Sequence, residues 1–328
     1  MEIKHSVLVV TYNQEAFIEE SISSLLNQTE LPYEIVILDD CSRDNNWDII
    51  TRFQSENPSI VKAFRNEVNL GIFENIKKIK TLFSGNVISY CSGDDLLDVN
   101  AIKSVNDKIR MEKLNPEVEK FIIITNSAHL HPDGTLSNWD NFRERHIPAM
   151  KTRLRYGLSY RAVGFSKPLL LAVPSEQEFL DGNPEVGYNA DFFKGFEEIR
   201  LADKLFYVNE TGGIYRLDVG VTSVKKNKEK WTKHQSAYRL VKKIYFEKFD
   251  RKDLLFIDFI IAGDQYKIHP NFANWIKAGW LYLRNYGNFS YNNPMIRNLH
   301  YLIPHHMVEW LKYKIYPVYL RIRDKNNK

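Results

Sequence analysis

The chain is poor in cysteine and contains neither a long apolar segment nor a recognisable leader. Cys41 and Cys91 are its only cysteines among 328 residues, which excludes a disulfide framework and predicts a reducing compartment. No apolar stretch reaches the ~20 residues that a membrane-spanning helix needs. The first residues lack the regions of a signal peptide and lead directly into a predicted strand. We therefore expect a cytoplasmic protein.

The charge of the chain is divided unevenly along its length. Residues 1–224 carry 24 Lys and Arg against 33 Asp and Glu, a net charge of −9. Residues 225–328 carry 21 Lys and Arg against 8 Asp and Glu, a net charge of +13, together with 20 aromatic residues. This division predicts one domain at 1–224 and a basic, aromatic, α-helical extension at 225–328 that has a partner surface of its own.

The composition of the extension is compatible with more than one partner. Residues 305–323 interleave aromatic and aliphatic side chains with Lys and Arg, a pattern typical of a helix that lies in a membrane interface. The alternative is a helical subdomain that packs on the first domain and leaves its basic face in solvent. Nucleic acid is also bound by basic and aromatic residues, but the extension contains no nucleic-acid recognition motif. We expect peripheral contact with the inner face of the cell membrane and no nucleic-acid partner.

Apolar runs of strand length alternate with helical patterns in the first domain. The runs lie at residues 6–10, 34–38, 60–64, 87–91 and 121–125. Because these runs are mostly apolar and do not alternate with polar residues, they predict strands that are covered on both faces. The predicted fold class is therefore α/β, with a doubly wound and mostly parallel sheet. Asn13 follows the first run and is predicted to cap the first helix. Two short strands are predicted at residues 205–208 and 213–216.

Pairs of carboxylates follow two of the predicted strands. Asp39 and Asp40 come after the second strand, and Asp94 and Asp95 follow Gly93 after the fourth. Since the carboxyl ends of parallel strands lie at one edge of a sheet, these side chains are expected to share a site. Carboxylate oxygens suit Mg²⁺ or Mn²⁺, which commonly hold substrate phosphates as well. For either pair alone, an ordinary Asp-rich turn is the alternative.

Four groups of residues, in order along the chain, resemble the inverting nucleotide-sugar glycosyltransferases of family 2. They are Val7-Leu8-Val9-Val10-Thr11-Tyr12-Asn13, then Glu34-Ile35-Val36-Ile37-Leu38-Asp39-Asp40-Cys41-Ser42-Arg43-Asp44, then Asn69-Leu70-Gly71 with Ser92-Gly93-Asp94-Asp95, and finally Asn189-Ala190-Asp191 with Tyr215-Arg216. Together they place the resemblance over about residues 4–224. It implies the nucleotide-binding GT-A fold and an enzyme of the bacterial polysaccharide type.

The resemblance also implies which residues bind the donor. The implied nucleotide-binding residues are Thr11, Tyr12, Asn13, Asp40 and Asp94. Thr11 and Tyr12 would contact the nucleoside largely through backbone atoms. Asp40 would accept hydrogen bonds from the edge of the base, and Asp94 would lie near the ribose or the sugar.

Two further carboxylates are implied in catalysis. Asp95 matches the ligand of Mn²⁺ or Mg²⁺, which would bridge the donor diphosphate and act as a Lewis acid. Asp191 matches the general base, because inversion by direct displacement needs one carboxylate to take the proton from the acceptor hydroxyl. Without the resemblance, Asp191 is typical of a helix N-cap. The chain departs from the family pattern at Ser92 and Ala190, where an acid is common, and at Glu74, where an arginine is common.

A few other side chains permit narrower predictions. Arg216 is expected to pair with the diphosphate or with an acidic residue of the core, and the sequence favours neither. His129 and His131 are candidate metal ligands, although histidines of a surface hairpin are more common. His234 is a weaker candidate for completing a metal shell. Both cysteines are predicted to be small buried residues behind the site.

These observations predict a metal-dependent inverting glycosyltransferase of the hexosyltransferase type. It would move a sugar from a nucleotide-sugar donor, expected to be a UDP-sugar, to a glycan or lipid-linked oligosaccharide in O-antigen or capsule synthesis. One alternative is a nucleotidyltransferase, but such enzymes usually carry a Gly-rich loop with Lys or Arg after the first strand, where this chain has Tyr12-Asn13-Gln14-Glu15. The other alternative is a non-catalytic nucleotide- or glycan-binding module, against which the intact Asp40, Asp95 and Asp191 argue.

Overall fold

The computed structural model describes residues 2–138, 163–182 and 191–219 without interruption, and a few residues beyond them. Those few are helical and lie at 240–241, 244, 262, 272–274, 276–277 and 280. The chain divides into two compact units, Met1–Lys226 and Asn227–Lys328. The roles assigned to the two segments of the sequence stay predictions, and the segment 305–323 lies outside the described residues.

The described part of the first unit contains nine strands and seven helices. The strands are β1 (His5–Thr11), β2 (Glu34–Asp39), β3 (Val61–Arg65), β4 (Val87–Ser92), β5 (Leu96–Leu97), β6 (Phe121–Leu130), β7 (Leu136–Asn138), β8 (Val163–Ser166) and β9 (Lys204–Arg216). The helices are α1 (Ile18–Leu26), α2 (Asn46–Glu56), α3 (Ile72–Ile79), α4 (Ala101–Met111), α5 (Lys167–Ala172), α6 (Glu176–Gly182) and α7 (Asp191–Leu201). No helix among the described residues is both long enough and apolar enough to cross a bilayer.

All nine strands belong to one mixed sheet. Its order is β3-β2-β1-β4-β8-β6-β9-β5, and β7 pairs with β6. The first four strands of this order are mutually parallel, with β1 between β2 and β4. Strand β8 is antiparallel to both β4 and β6 and thereby joins this half to the parallel pair of β6 and β9. The predicted α/β class is confirmed, while the antiparallel strand between the two halves was not predicted.

Strand β1 explains why the apolar runs do not alternate. Val7 and Val9 face the cluster that contains Ile22 of α1, whereas Leu8 faces the cluster that contains Ile79 of α3. All of these side chains are fully buried. Each contributes about 1.5–3 kcal/mol of apolar burial, so both faces of the strand select aliphatic residues. The carboxyl ends of the covered strands carry polar residues, among them Thr11 of β1 and Asp39 of β2.

Two local predictions were wrong. Asn13 does not cap the first helix, which begins five residues later at Ile18. Instead Asn13 has a φ of 51°, and its side-chain carbonyl accepts the N–H of Arg43 at 2.9 Å, so that it connects two loops. The short strands expected at 205–208 and 213–216 are parts of the single strand β9. Strand β9 stays paired with β6 across an irregularity at Asn126, which the intervening polar and glycine residues concealed in the sequence.

Candidate active site

The loops that follow β1, β2 and β4 meet at the carboxyl edge of the sheet. The parallel register places Thr11 beside Asp39. The N–H of Asp40 donates to the carbonyl of Thr11 at 3.0 Å, and the N–H of Gly93 donates to the carbonyl of Val10 at 3.2 Å. The predicted nucleotide-binding residues after β1 and β2 are thus directly connected to the acidic loop after β4.

A buried polar network lies beneath the first two loops. Asp39 is fully buried, and its carboxylate accepts hydrogen bonds from the N–H and hydroxyl of Ser42 and from Nδ2 of Asn46. Nε of Arg65 lies 3.3 Å from the same carboxylate. Asn46 also donates to Oγ1 of Thr11 at 3.1 Å. The network ties the ends of β1 and β2 to the start of α2, and the buried charge is compensated by several donors.

Asp40, the predicted base-binding residue, holds the loop that follows β3. Its carboxylate accepts hydrogen bonds from Nδ2 of Asn66 at 2.7 Å and from the N–H groups of Leu70 and Gly71 at 2.8 and 2.9 Å. Nδ2 of Asn66 also contacts Oδ1 of Asn75 at 2.8 Å. Only 3% of Asp40 is exposed. The structure therefore shows that Asp40 shapes the loop after β3. A contact between Asp40 and a base stays a prediction.

Tyr12 and Asn13 lie at the open side of this edge. Tyr12 is 40% exposed, and Asn13 is also exposed. The N–H of Asn13 donates to Oγ of Ser42 at 2.9 Å, so the backbone of the loop is fixed while the Tyr12 ring faces solvent. An exposed aromatic ring on a fixed backbone is suited to contact a nucleoside.

The acidic loop between β4 and β5 is fixed from the far end of the sheet. The N–H of Asp95 donates to the carbonyl of Ser92 at 3.1 Å. Oδ1 of Asp95 accepts the backbone N–H of Arg216 at 3.0 Å, and Nε of Arg216 donates to the carbonyl of Asp94 at 3.1 Å. The guanidinium group also forms an ion pair with Glu20 of α1. This acidic partner is an exposed residue of α1 and not the core residue that the sequence predicted, and pairing of Arg216 with a diphosphate stays a prediction.

Asp94 and Asp95 offer the ligand chemistry of a hard divalent cation. Among the described residues, no cluster of three or more Asp, Glu, His or Cys side chains is arranged to hold a metal. Mg²⁺ is usually held by one or two carboxylates together with water and substrate phosphates. Two adjacent, partly buried carboxylates at a strand end fit a cation of this kind, provided that a diphosphate supplies the remaining oxygens.

Cys91, near the end of β4, lies buried beside this loop. Burial, followed by the charges of Asp95 and Asp94, raises the pKa of the Cys91 thiol far above its usual value. The thiol of the metal-free protein is therefore protonated at neutral pH. Cys91 is the small buried residue that the sequence predicts. For Cys41 that prediction was wrong, since Cys41 is partly exposed and its thiol faces the carbonyl of Glu67 at 3.4 Å.

The predicted general base, Asp191, is the first residue of α7. Residues 183–190, which precede it, lie outside the described residues. Helix α7 packs against β4, because Nζ of Lys194 lies 3.6 Å from the centre of the Tyr90 ring. The helix that begins at Asp191 is thus fixed to the strand that leads into the acidic loop. The role of Asp191 stays a prediction.

Of the histidine candidates, His131 has a contact within the β6–β7 hairpin and His129 has one with β9. Nε2 of His131 lies 2.8 Å from Oγ of Ser137 across the β6–β7 turn. The His129 ring meets the Tyr215 ring edge-on, with 6.0 Å between the ring centres. These contacts favour the hairpin role over metal binding. His234 lies outside the described residues.

Two residues of the site could not be found from the sequence. Asn46 and Asn66 are both buried, and each connects an acidic strand end to a second element. Neither asparagine belongs to one of the motifs given above, and an asparagine next to a helix or strand is typical of a cap or a turn. Only the long-range contacts distinguish them from ordinary turn residues.

The comparisons with known proteins concern the family resemblance and the fold. Residues 6–157 match the family model of Glycosyl transferase family 2. The chain is 32% identical to an uncharacterized protein of Mycobacterium tuberculosis over 91 residues. This aligned segment covers 27% of this chain and 26% of the relative. Over 160 residues the chain is 23% identical to the dTDP-rhamnosyl transferase RfbG of Shigella flexneri, which covers 48% of this chain and 50% of the relative. The chain therefore matches half or less of the length of these relatives.

Solved structures share the fold at low sequence identity. TarS of S. aureus in complex with UDP-GlcNAc has a TM-score of 0.55 at 17% identity, over 87% of this chain and 79% of TarS. The mannosyltransferase PcManGT from Pyrobaculum calidifontis, in complex with GDP-Man and Mn²⁺, has a TM-score of 0.51 at 12% identity, over 97% of this chain and 83% of that one. The chain thus resembles the family 2 glycosyltransferases in sequence over residues 6–157 and has the GT-A fold.

Proposed function

We propose that this protein is a metal-dependent inverting glycosyltransferase of the hexosyltransferase type. The observation that carries the proposal is the joining of three loops at one edge of the sheet. Thr11 and Asp40 are hydrogen-bonded to each other, and Asp94 and Asp95 are held beside them by Arg216. An edge that combines exposed aromatic surface with paired carboxylates suits a nucleoside joined to a diphosphate and a cation.

The proposed donor is a nucleotide sugar, with UDP as the first expectation. TarS binds UDP-GlcNAc and PcManGT binds GDP-Man with Mn²⁺ on the same fold, which supports a nucleoside diphosphate sugar as the class. In the proposed complex, the backbone at Thr11, Tyr12 and Asn13 contacts the nucleoside and Asp40 faces the base. Asp94 lies at the ribose or the sugar.

The proposed chemistry is a single displacement at the anomeric carbon. The oxygen of the acceptor hydroxyl forms the new bond to this carbon, and the bond to the diphosphate oxygen breaks with its electron pair. Asp191 accepts the proton of the hydroxyl. A divalent cation, when bound, supplies Lewis-acid stabilisation of the departing diphosphate. Asp95 is the protein ligand for this cation, and its geometry depends on the hydrogen bond from Arg216.

The proposed acceptor is a glycan or lipid-linked oligosaccharide of a surface polysaccharide. RfbG, with which the chain shares sequence similarity, is a dTDP-rhamnosyl transferase, which supports sugar transfer as the reaction. A lipid-linked acceptor would place the enzyme at the inner face of the membrane, where each Lys or Arg near anionic lipid contributes on the order of 1 kcal/mol. The extension, with 21 Lys and Arg, is the proposed contact. We expect the protein to co-sediment with anionic vesicles but not with neutral vesicles, and we expect high salt to abolish this binding. Failure to bind either kind of vesicle would contradict the proposed contact.

The transferase proposal is tested by thermal shift and donor hydrolysis across a panel of nucleotide sugars, with and without Mn²⁺. One donor is expected to stabilise the protein in a metal-dependent manner. Asp95→Asn should abolish this effect, while Asp203→Asn, an exposed carboxylate away from the site, should retain it. Stabilisation by a nucleoside triphosphate alone, with release of pyrophosphate, would favour a nucleotidyltransferase. Absence of any metal-dependent shift would favour a binding module.

A further inference from the structure

Arg216, the last residue of β9, contacts the acidic loop twice. Its backbone N–H donates to Oδ1 of Asp95 at 3.0 Å, and its side-chain Nε donates to the carbonyl of Asp94 at 3.1 Å. One residue therefore fixes both the carboxylate of Asp95 and the peptide group that precedes it. The two contacts cross more than 120 positions of sequence, because the residue separations are 121 and 122.

The surroundings of the guanidinium group hold it in place. Its carbon lies 5.2 Å from the centre of the Phe17 ring, and its Nη2 pairs with Glu20. The side chain of Arg216 is only 16% exposed, whereas that of Glu20 is 57% exposed. An ion pair with such an exposed carboxylate contributes little to stability. The contact of consequence is the one between Nε and the Asp94 carbonyl.

We propose that Arg216 is a positioning residue that orients the Asp94–Asp95 loop for a divalent cation and the donor diphosphate. This inference rests on the proposed function, because it assigns the loop to that cation. Arg216 acts through the loop and does not itself contact the donor. Lysine is not equivalent to it, since a single ammonium nitrogen lacks the planar fork in which Nε bonds the carbonyl and Nη2 pairs with Glu20.

Three variants separate the contacts of Arg216. Arg216→Gln removes the ion pair and the Nε donor, Arg216→Lys retains a positive charge near Glu20, and Glu20→Gln removes only the ion pair. For each variant, thermal stabilisation is titrated with Mn²⁺ at fixed UDP, and UDP binding is measured separately without metal. Both Arg216 variants should need about tenfold more Mn²⁺ for half-maximal stabilisation, equivalent to ~1.4 kcal/mol. Glu20→Gln should stay within about twofold of the wild type.

UDP binding without metal distinguishes positioning from direct contact. If Arg216 positions the loop, both Arg216 variants keep the metal-free affinity for UDP within about twofold. If the metal-free affinity for UDP fell as much as the Mn²⁺ requirement rose, Arg216 would be shown to bind the diphosphate, and the inference would be overturned. An unchanged Mn²⁺ requirement in both Arg216 variants would also overturn it.

Hydrogen exchange in the metal-free protein tests the loop independently of the proposed function. The amides of Gly93 and Asp95 donate to backbone carbonyls, so they are expected to exchange slowly in the wild type. Their exchange should accelerate in Arg216→Lys but not in Glu20→Gln. Unchanged exchange would refute the positioning role. If the wild type showed no response to Mn²⁺ while exchange still accelerated in Arg216→Lys, the proposed function would fail and the structural part of this inference would stand.

Discussion

Gly93 lies directly against the side chain of Thr11, at a distance that leaves no room for a Cβ on residue 93. Such a Cβ would fall 2.6 Å from Oγ1 and 2.8 Å from Cβ of Thr11, and 2.5 Å from Oε1 of Gln14. Cβ of Thr11 is held by its backbone, so it cannot rotate away. The close approach of these two residues is what allows the loops after β1 and β4 to meet.

Gly93→Ala is therefore expected to separate the two loops. Overpacking of this kind costs about 1–3 kcal/mol, and we expect the free energy of unfolding to fall by that amount. Donor hydrolysis should fall further than stability does, because the displaced loops carry the proposed site. Gly182→Ala is the matched control, since an added Cβ there meets nothing within 4 Å. Equal behaviour of the two variants in denaturant unfolding and in hydrolysis would contradict the argument.

Asn46→Ala tests the buried network beneath the first two loops. The change removes the Nδ2 donor to the Asp39 carboxylate and to Oγ1 of Thr11. Loss of a hydrogen bond to a buried charge costs about 1.5–3 kcal/mol, and the KM for the donor should rise because Thr11 loses its support. Asn45→Ala is the control, since Asn45 is exposed and its side chain makes no capping hydrogen bond. A KM unchanged by Asn46→Ala would refute a link between this network and donor binding.

The fold could be predicted from the sequence wherever local pattern and tertiary environment agree. Strands β1, β2 and β4 are buried on both faces, and so their composition alone identifies them. Strand β9 could not be recognised as one strand, because its polar and glycine residues interrupt the apolar pattern. Strand β9 is defined by its backbone pairing with β6 on one side and with β5 on the other, and this pairing is not visible in its sequence.

The site could be predicted only in part, for a physical reason. Acidic residues at strand ends are visible in the sequence because topology places them at one edge. The contacts that orient them are not visible, since Arg216 reaches Asp95 and Asn66 reaches Asp40 across long stretches of chain. The same limitation explains the wrong prediction for Asn13. A helix cap would have given its side chain a partner nearby in the chain, whereas the side chain accepts a hydrogen bond from Arg43 in another loop.

Asp191→Asn tests the proposed general base. Asparagine keeps the size of the side chain and can still accept at a helix N-terminus, but it cannot take a proton. We expect kcat for transfer to fall by about 10²–10⁴ while the affinity for the donor changes little. Asp203→Asn again serves as the control, because this carboxylate is exposed and lies beyond α7. A parallel loss of donor binding would mean that Asp191 belongs to the donor site instead.

The stability of the fold is expected to depend on pH through His5. Burial lowers the pKa of His5 from 6.5 to about 4, although a hydrogen bond with Asn106 opposes the shift. Its other ring nitrogen lies 2.8 Å from Oγ of Ser89. Because the unfolded chain binds the proton more readily, the free energy of unfolding should fall as pH decreases from about 6.5 towards 4. The total loss is about 3 kcal/mol, from about 1.4 kcal/mol for each pKa unit.

This effect can be separated from that of the carboxylates by the pH range in which it acts. Burial of Glu34 favours a higher pKa, but hydrogen bonds from Lys62, Ser6 and Ser84 together lower it to about 2. The stability that Glu34 contributes is therefore lost only as pH falls from about 4.5 towards 2. Denaturant unfolding between pH 7.5 and 5 reports mainly on His5. In that range His5→Gln should flatten the dependence of unfolding free energy on pH, and an unaltered slope would show that other groups cause it.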